Sequence, residues 1–250
     1  MKFKILAAFL FAGSLFARDT LLTPYSLKAG AFLGTNLHSG AFTALPGVPG
    51  KMPDYGSGFG LGLSGEFGVE YNSPKKLFDR NFKFFASVGV SQLSAKFDKD
   101  QWVGNWITDD NSEKILVNTA FTPGILTGDL RFGVGWQPFE SLPAFLRLGG
   151  ALSLPLSKNY DKSDEILSPA GVLFLDNSTK IAYSGQIANF APILAFVNLG
   201  ADWEAGRVGD FRIVPQADFN LGLNSIVENT DWKESTVRIG VAAVYDIEKS

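Results

Sequence analysis

Residues 58–71 read GFGLGLSGEFGVEY. From Phe59 on, every second residue is Phe59, Leu61, Leu63, Gly65, Phe67, Val69 and Tyr71. Between them stand Gly58, Gly60, Gly62, Ser64, Glu66, Gly68 and Glu70. A period of two is a strand period, because successive side chains point to opposite sides of the pleat. One face is bulky and apolar; the other is small or charged. A soluble sheet buries its bulky face. A face almost empty of volume suits a narrow interior, with the bulk turned outward into something apolar. That inversion is the pattern of a strand in a membrane β-barrel.

The same alternation recurs along the chain. Residues 25–35 set Leu27, Ala29, Ala31 and Leu33 against Lys28, Gly30 and Gly34, with Phe32 breaking the polar face. A loop of Gly, Pro, Ser and Asp follows from Asn36. A third strand begins near Asn81, and its phase slips near Gln92, which predicts a bulge there. Residues 98–126 predict a hairpin extended beyond the membrane. Further strands place Leu130, Phe132, Val134 and Trp136 opposite Asp129 and Arg131; Leu146 to Leu156 opposite Arg147; and Ala191 to Trp203 opposite Asp202 and Glu204. Phe211 to Leu223 then oppose Arg212, Gln216 and Asp218, and Val237 to Ile247 oppose Arg238 and Asp246. The fold predicted is a closed, up-and-down antiparallel transmembrane barrel of eight strands. Ten is the alternative, if a small hairpin over residues 171–184 joins the wall.

Three features support the barrel. Connections after the first, third and fifth strands are long and those after the second, fourth and sixth short, as in barrels with short periplasmic turns and longer outer loops. Tyr25, Tyr71, Phe82, Trp136, Trp203, Phe211 and Tyr245 fall at the short-turn ends of seven strands, where an interfacial aromatic girdle belongs. Each alternating run lasts about ten residues, the length a tilted strand needs to cross a bilayer.

Composition bounds the chemistry. The 250 residues carry a net charge of −3 and no cysteine, which gives no basic face for nucleic acid and no disulfide or thiolate metal site. Residues 1–17 read as a secretory signal peptide: Lys2 and Lys4, an apolar run, then small residues. Residues 18–250 form one barrel domain. The inward faces carry Glu66, Glu70, Asp129, Asp202, Asp218, Glu204 and Asp246, with Lys28, Lys83, Arg131, Arg147, Arg212 and Arg238. This set is expected to pair as a sealed interior charge network; a gated ion path is the alternative. Glu66 and Glu70 lack a nearby partner for catalysis. The sole histidine, His38, is expected in a solvated outer loop. No catalytic, cofactor or metal site is expected. Trp102, Trp106 and Trp232 fall in outer loops, where they could pack locally or meet a ligand or partner.

The strand set, with LKAGAFLGTNL near the start and FGLGLSGEFGVEY as second strand, resembles the small outer-membrane barrels of the OmpA/OmpX type. It resembles in particular the PorT-like outer-membrane β-barrel family. The resemblance covers residues 24–247. The chain departs from many such barrels in following Tyr245 with DIEKS instead of ending on an aromatic. The resemblance implies a Gram-negative cell envelope and no single activity. The function expected is non-enzymatic: a structural or surface-interaction protein of the outer membrane, in contact with its lipid and with a surface ligand or envelope partner. Alternatives are a small-solute channel, a lipid-modifying enzyme, or a soluble periplasmic barrel binding an apolar ligand. The last needs the Leu and Phe set to face inward.

Overall fold

The structure, a computed structural model, describes residues 24–40, 42–76, 78–108, 111–139 and 141–247. The expected signal peptide, residues 1–17, lies outside the described residues. Eleven strands follow in chain order: β1 (Tyr25–Gly40), β2 (Gly56–Asn72), β3 (Phe82–Ser94), β4 (Phe97–Ile107), β5 (Ser112–Trp136), β6 (Ala144–Ser168), β7 (Lys180–Gln186), β8 (Leu194–Trp203), β9 (Gly206–Val208), β10 (Phe211–Gly222) and β11 (Lys233–Ile247).

All neighbouring strands pair antiparallel, and eight of them close a ring: β1, β2, β3, β5, β6, β8, β10, β11 and back to β1. The other three are continuations. β4 carries the line of β3 upward along β5, with Phe97↔Phe121 following Ser94↔Gly124 in one register. β7 rises beside the upper part of β6, and β9 closes the short turn before β10. A walk perpendicular to the strands from Leu27 passes Val69, Ala86, Phe132, Gly150, Val197, Leu221 and Ser235, and returns to β1 at Leu37, ten residues higher. That stagger tilts the strands by about 40°, and an eight-stranded ring leaves an interior that side chains can fill.

The bulky residues of the opening stretch face out. Phe59, Leu61, Leu63, Phe67 and Val69 are exposed while Glu66 and Glu70 are buried. Every other wall strand repeats this, with Leu33, Val88, Leu130, Leu148, Leu199, Phe219 and Ile239 among the exposed apolar side chains. The soluble alternative needs these groups inside. At the short-turn end the belt is edged by touching aromatic rings: Tyr25 with Tyr71 (centroids 5.1 Å), Phe82 with Phe84 (5.4 Å) and Phe211 with Tyr245 (5.7 Å).

One alternative falls and two local expectations change. Residues 171–179 form no strand, and only Lys180–Gln186 pairs, on β6 above the ring, so the wall has eight strands and not ten. No bulge interrupts β3 against β5 at Gln92, which pairs with Leu126 in unbroken register. The hydrophobic pattern slips there because the lumen itself changes from polar to apolar: Ser91 and Leu93 both point inward. The strands also run beyond the expected crossing length, to 25 residues in β5 and in β6, so one side of the barrel stands up as a protruding sheet.

Candidate functional site

The lower lumen holds a connected set of ion pairs. Glu66 on β2 meets Lys28 (2.8 Å) and Arg238 (2.9 Å). Arg238 also holds Asp218 (2.8 Å), which pairs with Arg147. Arg147 reaches Asp202 (2.8 Å), Asp202 reaches Lys83 (2.8 Å), and Lys83 reaches Glu70 (3.1 Å). Arg131 pairs with Asp129 (3.1 Å) and hydrogen-bonds Asn220 (3.0 Å). With Arg131 also 3.9 Å from Glu66, five carboxylates thus face five cations in one buried chain that takes in all eight ring strands, so the formal charge cancels. Nearer the short turns, Arg212 pairs with Asp246 (2.9 Å) and Glu204, and Arg207 with Asp246 (2.7 Å).

Phe32, the apolar intruder on an otherwise polar face, belongs to this layer. Its ring lies under the Arg238 guanidinium at 4.1 Å, a cation–π contact that removes one face of the cation from the cavity. A Cβ at Gly30 or Gly240 would run into the same ring. The two glycines are the space Phe32 occupies.

The upper lumen is apolar, and sequence reasoning missed its source. Residues 42–55 do not extend away from the barrel. They turn inward, burying Phe42, Leu45, Val48, Met52 and Tyr55 against Phe97, Phe121, Ile187, Leu194 and Trp232. Ring centroids sit 5.1 Å apart for Phe42 and Trp232 and 5.4 Å for Phe42 and Phe97. The segment is tied to the wall by the Ala188 N–H donating to the Pro46 carbonyl (2.9 Å) and the Tyr160 hydroxyl to the Gly47 carbonyl (2.9 Å). Gly47 has φ +82°, and a Cβ there would lie 2.8 Å from the Gln186 carbonyl oxygen, so this close approach needs glycine. The available signal was the scatter of Phe42, Leu45, Val48, Met52 and Tyr55 through a segment otherwise rich in turn formers.

His38 is a correction. It lies on β1 with its side chain inside the barrel, 2% exposed, and not in a solvated loop. The indole N–H of Trp232 donates to its Nδ1 at 3.0 Å, which leaves Nε2 as the protonated nitrogen of the neutral ring. Trp232 is itself fully buried, an inner wall of the apolar stopper. The loop before β11 therefore folds over the barrel mouth.

Trp102 and Trp106 lie elsewhere, on the protruding β4–β5 hairpin. Both are exposed, as are Val103 and Ile107, with Lys114 Nζ 5.9 Å from the Trp102 ring centre. Lower on this hairpin the Asn118 side-chain amide donates to Asp98 and Asp100 (2.6 and 2.8 Å). Together with Lys96, that hydrogen bond holds the Asp98 carboxyl below its ordinary range. A bulge between Trp102 and Gly104 breaks the register of β4 against β5. Bulges and charges discourage strand addition at an edge. Among the described residues no group of three His, Cys, Asp or Glu could hold a metal.

No family model matches the chain, and no curated protein does. Solved structures do. Ail, the attachment invasion locus protein of Yersinia pestis, is similar over 90% of this chain and 100% of its own, at 12% identity and TM-score 0.31. Neisserial surface protein A is similar over 91% and 100%, at 10% identity and TM-score 0.34. The outer membrane protease OmpT from Escherichia coli is similar over 92% and 99%, at 9% identity and TM-score 0.31. These likenesses say nothing of ligand or activity. The closed ring is established by the chain's own strand pairing.

Proposed function

We propose that the chain is an outer-membrane barrel with a sealed lumen and a structural or surface-interaction role. The carrying observation is the outward belt of Leu, Phe, Val and Ile over a charge-balanced interior. Such a belt around a ring without open edges fits a bilayer, where unpaired backbone groups would cost several kcal/mol each. An N-terminal leader delivers the chain, its short turns face the periplasm, and the protruding hairpins face out.

Two stacked barriers support a sealed lumen over a small-solute channel: mutually neutralised charges below and the aromatic stopper of residues 42–55 above. A non-enzymatic role is supported by His38, which is held by Trp232 out of reach of substrate. The surface role rests on Trp102 and Trp106, exposed far above the belt on a hairpin with two ordered strands beneath them. A ligand or envelope partner would be met there.

Cell fractionation with detergent extraction and heat-modifiable gel mobility tests the membrane placement. Recovery in the soluble periplasmic fraction overturns it. Planar-bilayer recording tests the seal, since stable ion-selective conductance steps are incompatible with it.

A further inference from the structure

One buried carboxyl stands outside the balanced lumen set. Glu234, on β11, is 2% exposed. Its Oε1 accepts from the Thr236 hydroxyl at 3.0 Å, and its Oε2 has no hydrogen-bond partner among the described residues. Opposite it in the β1–β11 register is His38, whose Nε2 is likewise without a partner. The charged groups that face Glu234 are Asp129 and Arg131 of β5, and they hold each other at 3.1 Å. Arg238, four residues further along β11, holds Glu66 and Asp218. At this level β2 and β10 bring only glycine, Gly58 opposite His38 and Gly222 against the Glu234 backbone, and β4 brings Phe97 to the His38 ring. The next rung down, Asn36 and Thr236, lines a lumen cavity of roughly 20 Å³, room for one water.

The stopper stands on this rung. Trp232, two residues before Glu234, packs on Phe42 and donates its N–H to His38 Nδ1. A Cβ at Gly40 would lie 2.8 Å from the Trp232 Cα, so the end of β1 presses on the same residue. Gly40 in turn pairs with Gly56 across β1 and β2, and their φ angles are +155° and +69°. Residues 42–55 thus leave and rejoin the wall at one pair of glycines, where backbone rotation is least hindered. They can withdraw from the mouth with the register of the ring intact.

We propose that Glu234 is a proton-operated latch on the stopper: it carries a proton while residues 42–55 fill the mouth, and its ionisation drives them out. A buried charge without a partner is strongly unfavourable, whereas a neutral acid is not. The cations nearby are committed, and one water does not neutralise a carboxylate. His38 cannot supply the charge while Trp232 is in place. Its Nδ1 already accepts the indole N–H, and a proton placed there would expel that donor. Both ways of meeting the charge, admitting water or charging His38, undo the packing at Trp232. The closed form therefore holds a proton that the open form gives up, so closure is unaffected by this group at acid pH and weakens as the pH rises. On β11 the outward apolar run ends at Val237, with Ser235 and Lys233 polar beyond it, which puts the latch at the mouth. It rests on the stopper of the sealed-lumen reading and not on the membrane placement.

The chain has no cysteine, so one introduced thiol reports alone. Val48→Cys puts it on the buried side of the stopper and Thr43→Cys on the exposed side. Labelling of each detergent-solubilised barrel by iodoacetamide is timed from about pH 6 to about pH 9.5. A buried thiol reacts through local opening, so the rate at 48 divided by the rate at 43 cancels the thiol's own ionisation and follows the opening. That ratio should rise at least tenfold over the range and stay within about twofold once Glu234→Gln is added. Glu234→Met, an apolar filling of the same site, should be equally flat and serves if the first variant does not assemble; heat-modifiable mobility confirms an intact ring throughout. A ratio that is flat while Glu234 is present overturns the latch, as does a rise that persists in the Gln or Met variant; either leaves the seal standing. Equal rates at 48 and 43 at every pH would overturn the stopper itself, and the sealed lumen with it.

Discussion

Replacing Asp218 with Asn removes one carboxylate from the middle of the lumen chain while keeping its volume. Asp218 lies between Arg147 and Arg238 and is almost wholly buried. Breaking a buried pair costs about 3–5 kcal/mol when a charge is left uncompensated. Here neither guanidinium is stranded: Arg147 keeps Asp202 at 2.8 Å and Arg238 keeps Glu66 at 2.9 Å. The expected loss is therefore at the low end, about 3 kcal/mol. It should appear in a urea titration of the vesicle-reconstituted barrel, followed by the folded and unfolded bands on a gel. A second substitution, Arg238→Met, restores the count of charges, so the double variant should lose clearly less than the two single losses summed. A loss under about 0.5 kcal/mol for Asp218→Asn, or strict additivity in the double variant, would refute the view that these charges act as one balanced set.

Val88→Arg, at the centre of the belt, should destabilise the barrel in vesicles by about 2–4 kcal/mol; tolerance of the change in a urea titration would mean that the faces are reversed. Trp232→Phe keeps the stopper's bulk but removes the N–H that His38 accepts, and should cost about 1–3 kcal/mol, read as a lower temperature for the heat-modifiable shift. Trp102→Ala with Trp106→Ala should leave the urea midpoint within about 0.5 kcal/mol of wild type, because both are exposed; any surface binding that the intact cell shows should fall. The purified barrel in a planar bilayer should give no ion-selective steps.

How far the sequence speaks depends on the residue. Alternation told which way Leu63 and Glu66 point, because period two is a local property of one strand. It did not tell height. Leu93 and Leu63 are the same residue type, yet one fills the upper lumen and the other faces outward; only the closed ring separates them. The same blindness misread residues 36–55. Turn formers suggested a solvated loop, whereas Phe42 and Tyr55 found a partner in Phe97, which comes from a different hairpin. His38 followed that error, since its surroundings are made by Trp232, 194 residues away.

The lumen network has a consequence for assembly. Glu66 and Arg238 are 172 residues apart, and Lys28 hydrogen-bonds Gln216 across 188. These partners come from opposite ends of the chain and meet only when the first strand docks on the last. A sheet growing one hairpin at a time would carry Lys28, Glu66 and Arg131 without their distant partners. Loop closure must come before such contacts are rewarded, so half-built sheets are poor resting points in the bilayer. Insertion and ring closure should then behave as a single slow step, and a chain truncated before β11 should fail as a whole instead of forming a stable partial barrel.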